Sequence, residues 1–298
     1  MLNYRHSFHA GNFADVLKHI ILIDILEHIT KKEKAFDYID THAGAGLFSL
    51  ESSQAKQLEE YRNGIGKLKL NCKKITTSNT TSVKKQLQWP ELERYFSIID
   101  KHNPNAALVY YPGSPMIAMD FLRPQDHAWL YELHPTDFDL LEANLHDRRV
   151  KHHCKDGFKG LLSVLPPLSR RGLVLIDPSY ESRDDYEQVV TTIKSAYKKF
   201  ATGTYAIWYP VVDRQLVQRL EKKLIHSGIK NIQRFELGLE PDSTESNSTQ
   251  QRMTASGMII INPPWGLLDN MSSLLPKLAA ALGDGNTAFA KCDTLVPE

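Results

Sequence analysis

Gly172-Leu-Val-Leu-Ile-Asp-Pro-Ser-Tyr180 joins an apolar run of strand length, Leu173 to Ile176, to an acid, a proline and an aromatic residue. Four consecutive apolar residues bounded by Gly and Pro predict a parallel strand buried on both faces. Pro178 has no N–H for further ladder pairing and biases Asp177 to extended backbone, so the carboxylate stops at the strand's C-terminal edge. Open α/β sheets bind their ligands along that edge. A carboxylate, a carbonyl and a ring delivered there together can hold an amino group by two acceptors while the ring stacks on the base that carries it. An ordinary proline turn after a strand is the structural alternative.

Working outward, Ala35-Phe-Asp-Tyr-Ile-Asp40 predicts a strand running into Thr41-His-Ala-Gly-Ala-Gly46, with a helix expected next. Glycines in such a turn let a ligand approach the backbone, although neither Gly-x-Gly-x-x-Gly nor Gly-Lys-Ser/Thr is present. Trp129-Leu-Tyr-Glu132 predicts a strand ending in an acid, and Glu132 offers two acceptors to the two hydroxyls of a ribose. A third strand, Val150 to Cys154, leads to Asp156-Gly157. There the acid can accept from the amino group of a bound adenine and the glycine admits the ring; a plain Asp-Gly turn is the alternative. Tyr110-Tyr-Pro-Gly-Ser-Pro115 predicts a turn opening a helix, with Ser114 as N-cap and Pro115 at N1. His152-His153-Cys154 is not a metal site, because contiguous side chains on alternating strand faces cannot converge on one ion.

Before the first strand, Asn12 is expected to cap a helix reaching about Thr30, with Asp15 in its first turn against the helix dipole and Lys18 and His19 within it. Residues 47–105 are expected to form a helical insertion subdomain between 1–46 and 106–298. It would hold mixed-charge helices at Gln54–Leu70 and Leu87–Ile99 and a polar Ser/Thr-rich linker, Lys73 to Lys85, between them. Further strands are expected at Thr204–Pro210, Lys230–Leu239 and Ser256–Asn262, with a flexible loop at Glu240–Arg252 and a last helix at Met271–Leu282.

With 42% apolar residues the chain can bury a sizeable core, and no run approaches a membrane span. Three distant cysteines and no signal-peptide pattern at the start point to a reducing, cytoplasmic setting. The net charge is +1, so any nucleic-acid contact must use local patches. Lys31-Lys32-Glu33-Lys34, Arg148-Arg149-Val150-Lys151, Arg170-Arg171 and Lys198-Lys199 are the candidates, each by itself a solvated helix end.

Asp177-Pro-Ser-Tyr180 resembles the Asp/Asn/Ser-Pro-Pro-Tyr/Phe motif of S-adenosylmethionine-dependent amino-methyltransferases, and Asp40-x-x-x-Gly44-x-Gly46 resembles the first motif of Rossmann-like methyltransferases. Asn262-Pro-Pro-Trp265 matches the former better, but its place after the last strand argues against it. Together with Tyr4-Arg-His-Ser-Phe-His-Ala-Gly-Asn12, Ala14-Asp-Val-Leu-Lys-His19, Tyr111-Pro-Gly-Ser-Pro115 and Glu132-Leu-His-Pro135, these motifs resemble the bacterial 23S ribosomal RNA adenine-N6 methyltransferase family of the RlmJ type, over nearly the whole chain. The resemblance implies an α/β, Rossmann-like methyltransferase fold with a small helical insertion. It implies S-adenosyl-L-methionine bound by Lys18, His19, His42, Gly44, Ser114, Glu132, Asp156, Gly157 and Asp177, with Lys18 and His19 at the methionine carboxylate. Asp177, Pro178 and Tyr180 would be catalytic, Tyr4 and Tyr180 would meet the target base, and 23S rRNA would be the partner, without metal or membrane. The departure is Ser179, where the family has a second proline that stiffens the loop. Methylation of DNA adenine, or non-catalytic binding of nucleic acid in the use of external DNA, are the alternatives.

Overall fold

The central apolar run forms β6 (Gly172–Ile176), buried throughout, in a computed structural model that describes residues 5–74, 89–241, 252–283 and 287–298. Tyr4, most of the Ser/Thr-rich linker and most of the Glu240–Arg252 loop therefore lie outside the described residues. β1 (Asp37–Asp40) pairs in parallel with β6, Asp40 opposite Leu175. β4 (His127–Tyr131) and β5 (Val150–His153) extend the sheet on that side, and β7 (Thr204–Val211) flanks β6 on the other, all parallel. β9 (Ala255–Ile261) then runs antiparallel between β7 and β8 (Ile232–Gly238). An edge strand that the sequence reading missed, β10 (Phe289–Val296), completes the order β10-β8-β9-β7-β6-β1-β4-β5. Its residues are mostly half-buried, so it lacks the continuous apolar run that marks a central strand.

Side chains alternate between two cores, as the period of a strand requires. Leu173 and Leu175 of β6 face one, Val174 and Ile176 the other. The first is closed by α1 (Phe13–Thr30), α10 (Leu267–Leu282) and helices between residues 65 and 101, the second by α7 (Gly157–Val164), α8 (Asp184–Lys199) and α9 (Arg214–Ile225). Asn12 caps α1 as expected, its side chain accepting from the Asp15 N–H. α1 touches β9, α10 and the helix at Glu93–Lys101, so it is buried on nearly every side, Asp15, Lys18 and His19 included.

The expected helix directly after the Gly loop is replaced by a strand. β2 (Leu47–Ser49) pairs antiparallel with β3 (Tyr110–Pro112), bringing the two ends of the segment 47–112 together, and the Gly113 N–H bonds the Gly46 carbonyl at 2.7 Å. Between them lie α2 (Ser53–Leu58), α3 (Ile65–Lys74) and α4 (Glu93–Lys101). The single helix expected at 54–70 is broken at Glu59, in the left-handed region with φ 50°, and at Gly64, where a Cβ would lie 2.1 Å from the Gly11 carbonyl oxygen. Apolar residues of this segment, among them Phe48, Ile65, Tyr95 and Ile99, join the same core as α1. α5 (Ser114–Met119) follows, and its N-cap is Gly113, not Ser114, because the Ser114 hydroxyl is engaged elsewhere. α6 (Pro135–Asn144) links β4 to β5.

Because β9 runs against its neighbours, Asn262 emerges at the edge opposite Asp177. Its amide donates to the Ala201 and Gly203 carbonyls, 2.8 Å each, which holds it at that edge.

Gly257 of β9 faces Tyr209 of β7, and a Cβ there would lie 2.1 Å from the ring. The Tyr209 hydroxyl in turn donates to buried Glu236. Gly257→Val should therefore cost about 1–3 kcal/mol, seen as a fall of several degrees in Tm.

Candidate active site

The loops leaving the C-terminal ends of β1, β4, β5 and β6 enclose a cavity of about 450 Å³. Its lining includes all of Lys18, His19, His42, Gly44, Ser114, Glu132, Asp156, Gly157, Asp177 and Pro178, so the residues expected at a cofactor are brought together. The Gly loop turns through left-handed Gly44 and Gly46, φ 59° and 74°. Glu132 pins it: one carboxylate oxygen accepts from the Gly44 N–H at 2.8 Å and the other from the His134 N–H at 2.7 Å. Burial pushes the Glu132 carboxyl up.

Asp156 caps α7, accepting from the Phe158 and Lys159 N–H groups at 2.9 and 3.3 Å. Gly157 is required for a reason other than room for a ring, since a Cβ would sit 1.9 Å from the Thr41 carbonyl oxygen. The backbones of two loops meet there. His42 packs edge-on against Phe158, centroids 4.9 Å apart, and burial takes its imidazole down to about 4. Beneath the loop, Asp40 is fully buried and accepts from the Ser114 and Tyr38 hydroxyls, 2.7 Å each, and from the His42 N–H at 3.2 Å. Burial raises its carboxyl to about 6 against these bonds.

Lys18 sits between two acids. Its ammonium is 2.8 Å from Asp15 and 2.5 Å from Asp177, at 4% side-chain exposure. Burial alone would lower its pKa, but the two carboxylates outweigh burial and raise it. Asp15 also accepts from the Gly11 N–H and lies 2.8 Å from His6 Nε2. Burial opposes ionisation of Asp15, yet His6 and Lys18 hold its pKa well below the usual value. The counter-charge expected of Lys18 for a methionine carboxylate is thus already matched by acids of the chain itself. His19 Nδ1 lies 2.8 Å from the Tyr111 hydroxyl, which lies 3.0 Å from that of Tyr95. His19 Nε2 is buried at the cavity with no protein partner among the described residues. Burial takes this imidazole down to about 3, so it is neutral.

A second cavity, about 610 Å³, shares His6, Lys18, Asp177 and Ser179 with the first. Tyr180 lines this second space, with Tyr186, Trp208 and Pro210. Tyr180 holds φ 53°, unusual for a residue with a side chain, and its hydroxyl donates to the Trp208 carbonyl at 2.7 Å. Its ring centre is 4.5 Å from that of Tyr186 and 5.8 Å from that of Trp208. Asp177 stands at the seam of the two cavities. Sequence reasoning missed His6, Trp208 and the ionic role of Asp15. The Asp15/Lys18 spacing of one helical turn was the available signal for the last.

A histidine kept neutral by burial costs stability as pH falls, because only the unfolded chain then takes up the proton. Unfolding free energy should therefore decline from pH 6.5 towards lower pH, by up to about 1.4 kcal/mol per pH unit for each such histidine. Urea titrations between pH 6.5 and 5 should show a shallower decline in His19→Gln, by one histidine's share.

The family model described as "Ribosomal RNA large subunit methyltransferase D, RlmJ" matches residues 33–295. The chain is 47% identical to the ribosomal RNA large subunit methyltransferase J of Haemophilus influenzae and 46% identical to that of Escherichia coli, covering 100% of both chains in each case. The crystal structure of protein LPL1258 from Legionella pneumophila is similar at a TM-score of 0.82 and 36% identity, over 96% of this chain and 98% of that one. The chain belongs to the RlmJ family of large-subunit ribosomal RNA methyltransferases, and its fold is that of a Rossmann-like methyltransferase.

Proposed function

We propose that this enzyme transfers a methyl group from S-adenosyl-L-methionine to N6 of an adenosine in 23S ribosomal RNA, within the cytoplasm. The observation that carries this reading is Asp177, shared by two adjoining cavities and followed by a proline and an aromatic. The first cavity suits the cofactor in its donors and acceptors. Glu132 keeps lone pairs for ribose hydroxyls, Asp156 for the adenine amino group, and the unpartnered His19 Nε2 for the amino-acid end. In the tautomer whose Nδ1 accepts from the Tyr111 hydroxyl, 2.8 Å away, the neutral ring presents an N–H there, matched to a carboxylate. When bound, the cofactor supplies an electrophilic sulfonium methyl.

The second cavity takes the target base. The exocyclic nitrogen of adenine is a poor nucleophile because its lone pair is delocalised into the ring. The Asp177 carboxylate and the Pro178 carbonyl would accept its two hydrogens, drawing the nitrogen towards a tetrahedral arrangement and stabilising the charge that grows on it. Lys18 holds Asp177 by one oxygen at 2.5 Å, which fixes its direction. Tyr180, braced by Trp208 and Tyr186, would stack on an adenine taken out of its helix, worth roughly 1–3 kcal/mol. Tyr4 is the remaining candidate at the base.

The test is methyl transfer from labelled S-adenosylmethionine to deproteinised 23S rRNA from cells lacking the protein, with duplex DNA alongside. Wild type should place label in N6-methyladenosine of the RNA. Asp177→Ala should lose at least ~10³-fold in turnover while binding the cofactor within a few-fold of wild type. Label on DNA alone would replace the substrate assignment, and equal loss of turnover and cofactor binding would remove Asp177 from the chemistry.

A further inference from the structure

The four basic tracts of the sequence are scattered over some 170 positions, yet the topology delivers all of them to one place. Lys31 to Lys34 precede β1, Arg148 and Arg149 precede β5, Arg170 and Arg171 precede β6, and Lys198 and Lys199 precede β7. These strands are parallel neighbours, so their starting ends share the edge opposite the two cavities. Five adjacent strands from β7 to β5 make this belt roughly 20 Å wide, at about 4.8 Å per strand.

The belt has two layers. Arg171 donates to the Lys34 and Ile29 carbonyls, Arg123 to those of Thr30, Lys32 and Lys34, and Arg149 to that of Leu122. These guanidinium groups hold the loops in register. In front of them Lys31, Lys32, Lys34, Arg148, Arg170 and Lys198 are exposed, and none forms an ion pair among the described residues. Favourable placement at a helix C-terminus does not account for the whole set. Arg148 and Arg170 lie beyond the last turns of helices that end at Asn144 and Val164, outside the reach of the dipole. Trp265, 91% exposed, emerges at the same edge just after Asn262 and offers a ring for stacking.

Among the described residues the catalytic mouth carries no such excess of base: Glu181, Asp184, Asp185 and Asp213 stand there beside Lys159, Arg183 and Arg252. Affinity for RNA comes largely from neutralised phosphates, and the mouth supplies few.

We propose that this rear edge is a second RNA-contact surface, gripping the phosphate backbone of a segment of the substrate remote from the target adenosine. It rests on the reading of the substrate as ribosomal RNA. A large folded RNA can engage both edges of the sheet, whereas a short stem-loop at the mouth engages only one.

The test compares wild type with Lys31→Gln/Lys32→Gln/Arg148→Gln/Arg170→Gln on full-length 23S rRNA and on a short stem-loop carrying the target. On the long RNA, KM should rise about tenfold or more with kcat within twofold, and the slope of log affinity against log salt should shrink by about three. On the stem-loop both constants should stay at wild-type values, as should Tm and cofactor affinity. The independent pair Lys34→Glu/Lys198→Glu should weaken the long RNA in the same way. Equal effects on both RNAs, or an unchanged salt slope with full-length RNA, would overturn the proposal. Filter binding without cofactor separates the two readings, since belt-dependent RNA binding without any methyl transfer would retain this surface and remove the proposed reaction.

Discussion

An ammonium buried between two carboxylates ties the first helix to the central strand. Removing these charges from water is costly unless each is paired, and Lys18 meets that condition only when α1 lies with its first turns against the end of β6. That placement makes α1 a central helix instead of a surface one. The same constraint draws in the preceding segment, because Asp15 has a second oxygen that His6 and the Gly11 N–H satisfy. Removal of either Asp15 or Asp177 would leave part of this buried charge unmatched, so the stability of the edge and the aim of Asp177 depend on one set of contacts.

The sheet separates two kinds of surface. Parallel strands place every loop that follows a strand on one edge and every segment that precedes one on the other. The first edge collects the Gly loop, Glu132, Asp156 and Asp177, one or two polar residues from each loop, around contiguous cavities. The second collects the basic tracts. A net charge of +1 conceals this polarity, since the acids and bases balance in the sum and not in space.

The strands and their terminal acids were legible because their signals are local. An apolar run ending in Asp-Pro, a glycine-rich turn after a strand, and Asn12 ahead of a helical pattern each carry their meaning within a few residues. What was not legible depends on distant partners. β2 pairs with β3 in place of the expected helix because the chain after Leu47 returns to its starting point, with Gly113 on Gly46. Ser114 is no N-cap because Asp40 takes its hydroxyl. Gly157 answers to the Thr41 carbonyl, and Asn262, in a motif better matched than that of Asp177, lies on the wrong edge because β9 is reversed.

The sequence by itself determined the class of fold, the succession of the parallel strands along the chain and the identity of the polar groups at their ends, since periodicity, proline and glycine act on neighbouring backbone. Only the tertiary structure decided which of those groups are charged, paired or left open. Lys18 is matched by Asp15 and Asp177, His19 is neutral with Nε2 turned to the cavity, and four scattered basic tracts form one belt. Protonation, pairing and charge density depend on burial and on distances across the fold, and those exist only once the chain has closed on itself.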